Sequence, residues 1–160
     1  MRGDIGPDVV GDQFEFVDTI VGHFNLEKEK KYLFGISMGG LLSARLIQAR
    51  PDFFSGVIFV VPWFGNHETI AVSKPMRCLL GVMAKCCKNK RIPRKPRDAE
   101  WEELFAFRAQ DPLYVTFTCY HMPHIGLNLQ DMMRTELDKI KIPVFLALAD
   151  REWLVSNEAA

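Results

Sequence analysis

The run Gly35-Ile36-Ser37-Met38-Gly39-Gly40 constrains this chain more than any other segment. It follows a short apolar stretch, Tyr32 to Ile36. It precedes Leu41, Leu42, Ala44, Leu46 and Ile47, which are available as the packing face of a helix. A bare G-x-S-x-G pattern arises often by chance. Between a buried strand and a helix it marks a strained turn that lifts a serine hydroxyl above a sheet. Glycines at 35 and 39 remove Cβ atoms that would clash where strand and helix nearly touch, and Gly40 extends the same elbow. The backbone N–H of Met38, at the helix start, can face a developing oxyanion. Ser37 is thus the candidate nucleophile, against the plainer alternative of a glycine-rich turn with an incidental serine.

The flanking patterns supply an alternating order. Val9 to Phe24 predicts a helix, with Val10, Phe14, Val17, Ile20, Val21 and Phe24 at helical spacing. Pro51 ends the helix after the elbow, because the residue before a proline is pushed out of the α region. Gly56 to Val61 predicts a second buried strand, closed by Pro62. Helices are expected at Pro75 to Cys87, Asp98 to Arg108, Leu113 to His121 and Asp131 to Ile140, with no strong strand between Trp63 and about Leu129. Val144 to Ala149 predicts a third buried strand, and a further helix is expected from Glu152. Continuous apolar strands alternating with helices argue for an α/β chain with a parallel sheet covered on both faces. The expected organisation is a core at 1–62 with the elbow, a helical insertion at 63–130, and a return to the core at 131–160.

Asp150 stands after the third strand, at the end of an open α/β sheet where catalytic groups gather. A buried carboxylate there can orient a histidine and stabilise its charged form. The alternative is a helix cap for the segment beginning at Glu152. The chain order, serine then acid, favours the catalytic reading.

These residues resemble a known family. GISMGG after a strand, the long insertion, Ala109-Gln-Asp-Pro-Leu113 and KIPVFLALAD look like the monoglyceride lipase and lysophospholipase group of α/β-hydrolases, of the serine aminopeptidase S33 type. Arg2-Gly3 and the segment Phe14 to Asp18 resemble the stretch these enzymes carry before the elbow. The resemblance implies a partial α/β-hydrolase fold with about three parallel strands and a helical lid. It implies an acyl-enzyme on Ser37, Asp150 as the acid of the triad, and a lipid ester substrate of the monoacylglycerol or lysophospholipid kind. No cofactor is implied. The family's histidine follows the acid, whereas His23, His67, His121 and His124 all precede Asp150, so none is carried over. The family's His-Gly loop, source of the second oxyanion N–H, has no counterpart either. The elbow strand is accordingly expected at an open edge of the sheet.

Charge is balanced overall, with 20 basic and 20 acidic residues, but nine bases lie between Lys74 and Arg97 with no acid among them. Such a block is a solvated surface or a face for anionic lipid, which gives peripheral membrane contact through the lid as an expected partner. It lacks interleaved aromatics, so nucleic acid is not expected. No secretory h-region and no membrane-length apolar run are present, and Cys78, Cys86, Cys87 and Cys119 form no regular framework. A cytoplasmic setting with free thiols is expected. Cys86, Cys87, Cys119, His121 and His124 resemble metal-ligand material at unsuitable spacing, so no metal is expected. Two further readings remain: a non-catalytic remnant that keeps the elbow, and a module that binds membrane surfaces.

Overall fold

The computed structural model describes residues 9–87, 90–93 and 99–160. Arg2-Gly3, parts of the basic connector and the start of the expected helix at Asp98 lie outside them. The order of elements is α1 (Val9–His23), β1 (Tyr32–Ile36), α2 (Met38–Ala49), β2 (Gly56–Val60), α3 (Lys74–Cys86), β3 (Arg91–Pro93), α4 (Ala99–Arg108), β4 (Phe117–Cys119), α5 (His121–Thr135) and β5 (Val144–Ala147). The chain divides into two compact units, Met1–Ser73 with Ile125–Ala160, and Lys74–His124.

In the first unit β1, β2 and β5 form a parallel sheet in the order β1-β2-β5. The register aligns Leu33 with Val57, Gly35 with Phe59, and Phe59 with Leu146. Side chains alternate between faces along a strand, so these residues share one face. Against it pack Phe14 of α1, Leu41, Ala44, Leu46 and Ile47 of α2, and Met133 of α5, in one buried cluster with Phe54, Val57, Phe59 and Phe64. Leu41, Ala44 and Ile47 are wholly buried, consistent with the helical spacing of the apolar residues after the elbow.

The opposite face differs from expectation. Tyr32, Phe34 and Phe145 are 66%, 62% and 64% exposed, and Ile36 and Ile58 are exposed beside them. The sheet is therefore covered on one face only among the described residues, because α1 and α2 both contribute to the same buried cluster. The expected burial of the first and third strands is met on one face of β1 and not in β5, whose Val144, Phe145 and Leu146 are all exposed.

The second unit adds a short strand pair to the helical insertion, where no strong strand was expected. β3 and β4 pair antiparallel, Arg91 with Cys119 and Pro93 with Phe117. The helix expected at Leu113 to His121 is replaced by Asp111 bonding the N–H of Leu113 at 2.8 Å, then by β4. That Asx turn competes with helical hydrogen bonding. The helix expected at Asp131 to Ile140 starts earlier, as α5 from His121, and ends at Thr135. Pro123 falls in its first turn, where the missing N–H has no helical acceptor to lose. No helix begins at Glu152. Its Oε1 accepts the N–H groups of Trp153, Leu154 and Val155. Val155 bridges Asn66, and a short 3-10 turn spans Asn157–Ala159.

Buried polar groups tie the core unit across long separations. Arg45 on α2 is almost fully buried and bonds Gln48 Oε1 and Glu136 Oε2, each at 2.7 Å. Gln48 in turn donates to the carbonyl of Met133 at 2.7 Å. On the surface Arg50 makes a two-pronged bond to Asp18 at 2.7 and 2.8 Å and stacks over Phe14. Hydrogen bonds from Lys139 and then Arg45 hold the Glu136 carboxyl below the usual glutamate range, and Arg50 does the same for Asp18. A carboxyl lowered in the folded state contributes stability above its unfolded pKa, about 3.9–4.3 for these residue types, and loses it as pH falls through the lower folded value. Thermal melts should therefore show Tm dropping as pH falls from about 4.5, and Glu136→Gln should flatten that drop while lowering Tm at pH 7. A parallel decline in both proteins would remove Glu136 from the cause.

Candidate active site

The elbow is built by close contact between backbone segments. Ser37 sits between β1 and α2 with φ 50° and ψ −117°, a left-handed φ that non-glycine residues rarely adopt. Its N–H donates to the carbonyl of Val60 at 3.0 Å. Its own carbonyl accepts N–H groups from Gly40 at 3.0 Å, Leu41 at 3.3 Å and Trp63 at 2.9 Å. The serine backbone is thus fixed by β2, by the first turn of α2 and by the chain leaving β2. Ser37 is exposed.

Two of the three glycines are required by space. A Cβ on Gly35 would lie 2.6 Å from the Gly39 carbonyl oxygen and 2.7 Å from Gly40 Cα. A Cβ on Gly40 would lie 2.7 Å from Pro62 Cβ. Gly39 is different: a Cβ there meets nothing within 4 Å. The steric role expected of Gly39 belongs instead to Gly40, because it is Gly40 that faces the chain leaving β2. Met38 is the first residue of α2, so its N–H belongs to the set a helix leaves without an internal acceptor.

Val61 is a second strained residue, not singled out by its local pattern. This β-branched residue has φ 38° and joins β2 to Pro62, while its N–H donates to Ala147 of β5 at 2.8 Å. The strained step sets Pro62 against Gly40 and turns the Trp63 N–H onto Ser37. Pro62 after an apolar run was the one visible sign of it.

Asp150 lies three residues past the end of β5, and it is exposed rather than buried as expected. β5 stops at Ala147, short of the apolar run's end, so the acid rides on a turn. Its alternative role as a cap is taken by Glu152, which binds the following three N–H groups. Ser37 and Asp150 both follow the carboxyl ends of their strands, with β2 between those strands. Two inter-strand spacings of about 4.8 Å put the axes of those two strands about 10 Å apart. Asp150 lines a cavity of about 360 Å³ with His67, Glu68, Glu152, Val155, Ser156, Asn157 and Glu158. His67 was not expected there. Its Nδ1 accepts the Thr69 N–H at 3.3 Å and lies 3.0 Å from the Thr69 hydroxyl. That nitrogen is committed to its own turn and cannot also donate to Asp150. Among the described residues neither the Ser37 hydroxyl nor the Asp150 carboxylate is hydrogen-bonded to a histidine. Among the same residues no group of three or more His, Cys, Asp or Glu side chains could hold a metal ion.

The family model for serine aminopeptidase S33 hydrolases matches residues 6–160, nearly the whole chain. The chain belongs to that α/β-hydrolase family. Solved structures carry the same fold. The monoacylglycerol lipase of Paleococcus ferrophilus superposes with a TM-score of 0.73 at 22% identity, covering 94% of this chain and 58% of that one. A soluble variant of the monoglyceride lipase of Saccharomyces cerevisiae, in complex with a substrate analogue, gives 0.72 at 18% identity, covering 94% of this chain and 53% of that one. A thermostable carboxyl esterase from Bacillus coagulans gives 0.59 at 11% identity, covering 91% and 64%. At these identities the likeness is one of fold, and the chain spans between half and two thirds of the hydrolases it matches. No curated protein matches the chain in sequence.

The elbow of this S33-family chain yields a sharp contrast. Gly35→Ala and Gly40→Ala should each cost about 1–3 kcal/mol by overpacking against backbone and Pro62. Gly39→Ala should be neutral, or stabilising by up to about 1 kcal/mol, as a glycine replaced inside a helix. Urea unfolding of the three variants checks the ranking, and equal losses at all three would refute the assigned contacts.

Proposed function

We propose that the chain holds the nucleophile and the acid of a serine ester hydrolase for monoacylglycerol-like or lysophospholipid-like esters. The observation that carries this reading is the strained turn at Ser37, which stands at the same carboxyl end of the sheet as Asp150. Ser37 attacks the ester carbonyl and forms an acyl-enzyme, and water then releases the fatty acid. The N–H of Met38 receives part of the developing oxyanion charge. Asp150 orients and stabilises a histidinium, and none of His23, His67, His121 and His124 is assigned as that base. The fatty-ester class is supported by the named activities of the archaeal and yeast lipases that share the fold.

A serine hydroxyl is a weak nucleophile until a base takes its proton. A triad lacking one member keeps only about 10³–10⁴-fold catalysis over water. Residues 1–160 should therefore turn over a short-chain p-nitrophenyl ester slowly, and imidazole added to solution should raise the rate by standing in for the base. Imidazole cleaves p-nitrophenyl esters by itself, so the rise is taken above a protein-free imidazole blank, and that net rise should vanish in Ser37→Ala. An identical rise in Ser37→Ala would refute the nucleophile. No rise in either protein would favour the non-catalytic remnant, and fast turnover without imidazole would show that the chain supplies its own base.

In the same reading the unit Lys74–His124 is the lid, and its bases meet anionic lipid head groups. Among the described residues no helix is long and apolar enough to cross a membrane, so the proposed contact is peripheral. Each base near an anionic surface contributes about 1 kcal/mol. Vesicle sedimentation should show binding to anionic bilayers that is lost at high salt, and equal binding to neutral bilayers would defeat this part of the proposal.

A further inference from the structure

We propose that Cys78 and Cys86 on α3 are sites of reversible S-acylation by a long-chain fatty acyl group. Ala84 is buried, and the Gly81 position faces the ring of His124 within the same unit, so this side of α3 packs inward. The outward side carries Cys78, Val82 and Cys86 at successive intervals of four residues, which places them one above the other. Both cysteines are exposed and free. Their apolar neighbours are turned out with them: Met76, Leu79 and Val82 are 54%, 54% and 52% exposed.

An apolar stripe on a solvent-facing helix has an unfavourable hydration cost unless something covers it. The charge around it indicates what does. Lys74, Lys85, Lys90 and Arg91 are all exposed. No acid occurs anywhere between Lys74 and Arg97. An apolar stripe beside bases alone is complementary to the boundary between anionic head groups and acyl chains. Cysteines on such an amphipathic helix are held where an acyl chain, once attached, enters the hydrocarbon directly. Cys87 and Cys119 are partly buried, so the structure separates two accessible thiols from two shielded ones.

The chemistry balances without an oxidant or a reductant. A fatty acyl thioester such as acyl-coenzyme A is the donor. The cysteine sulfur attacks its carbonyl carbon, a new carbon–sulfur bond forms, and the bond to the leaving sulfur breaks. The proton of the cysteine thiol ends on the released thiol. One chain on a protein gives only marginal, reversible attachment, whereas a second chain or a basic patch makes it stable. Two cysteines beside a basic block provide both.

This inference deepens the membrane-contact part of the proposed function and is independent of the hydrolase part. The test uses the whole chain, palmitoyl-coenzyme A, and vesicles of either neutral phosphatidylcholine or a mixture with anionic phosphatidylserine. Mass spectrometry should find palmitoyl groups severalfold more abundant on Cys78 and Cys86 than on Cys87 and Cys119, and neutral hydroxylamine should remove them. The anionic vesicles should speed the transfer. Acylated protein should stay on vesicles at a salt concentration that strips the unmodified chain, and a Cys78→Ser/Cys86→Ser variant with an unchanged circular dichroism spectrum should be stripped. No transfer to either cysteine, an even spread over all four, or disulfide-linked dimers in place of acylation would overturn the proposal. Transfer that proceeds equally on neutral vesicles would retain the sites but reject the charged surface as their guide. Because the readout is the mass of α3 peptides and not ester turnover, failure here leaves the reading of Ser37 standing, and the converse holds too.

Discussion

Everything at the candidate site depends on the approach of α2 to β1 and β2 around one carbonyl. The Ser37 oxygen takes three N–H groups, two from α2 and one from Trp63. That arrangement closes the strand-to-helix turn so tightly that Gly35 and Gly40 have no room for a side chain. Left-handed φ values at Ser37 and Val61 cost of order 1–3 kcal/mol each. They persist because the surrounding structure over-determines them. Leu41, Ala44 and Ile47, immediately after the turn, are wholly buried against the sheet. Burying one such aliphatic side chain contributes about 1.5–3 kcal/mol, so the packing of α2 offsets the strain at its own start. The strain is therefore local, while what sustains it is spread over the core.

How much of this was legible in the residues depended on the range of the interaction. The elbow was readable because its glycines, its serine and the apolar run before it are adjacent in sequence. α1, α2, β1, β2 and β5 were readable because their apolar residues recur with the period of a helix or form a continuous run. What failed were features decided by distant partners. β3 and β4 have three residues each, too few to show a period. α5 was expected only from Asp131, whereas it begins at His121, with Pro123 in its first turn and Gly126 leaving room for the ring of Trp63. A helix after Asp150 was expected, and the Glu152 side chain supplied a different set of acceptors. The left-handed Val61 has only the following Pro62 as a local sign, since valine is among the residues least suited to that conformation.

The two faces of the sheet make the same point about burial. YLFGI and VFLA are apolar at every position, which is the composition of strands meant to be covered on both sides. Composition alone cannot say which element lies on which face. Here the face shared by Leu33, Val57 and Phe59 is packed, while Tyr32, Phe34, Ile58 and Phe145 are exposed. The acid of the site has the same history. An aspartate after an apolar strand could be located from sequence, but its exposure, and its cavity shared with His67 and three glutamates, could not.

The core unit is closed by its own hydrogen bonds on both sides of residues 74–124. Trp63 and Phe64 leave the sheet just before that segment, and Gln130 and Arg134 stand on α5 after it. Gln130 donates to the Trp63 carbonyl at 3.1 Å, and Arg134 to the Phe64 carbonyl at 2.7 Å. Gln48 and Arg45 then anchor the same stretch to α2 through Met133 and Glu136. The two sides of the long segment are thus joined by partly buried hydrogen bonds, with Gln130 fully buried and Arg134 reaching in from the surface. Once those ends are joined, the entropy of closing the segment grows only logarithmically with its length. Lengthening residues 74–124 therefore adds little to the entropy of closing that joint. Ser37 itself is held by contacts that lie within the core unit, to Val60, Gly40, Leu41 and Trp63.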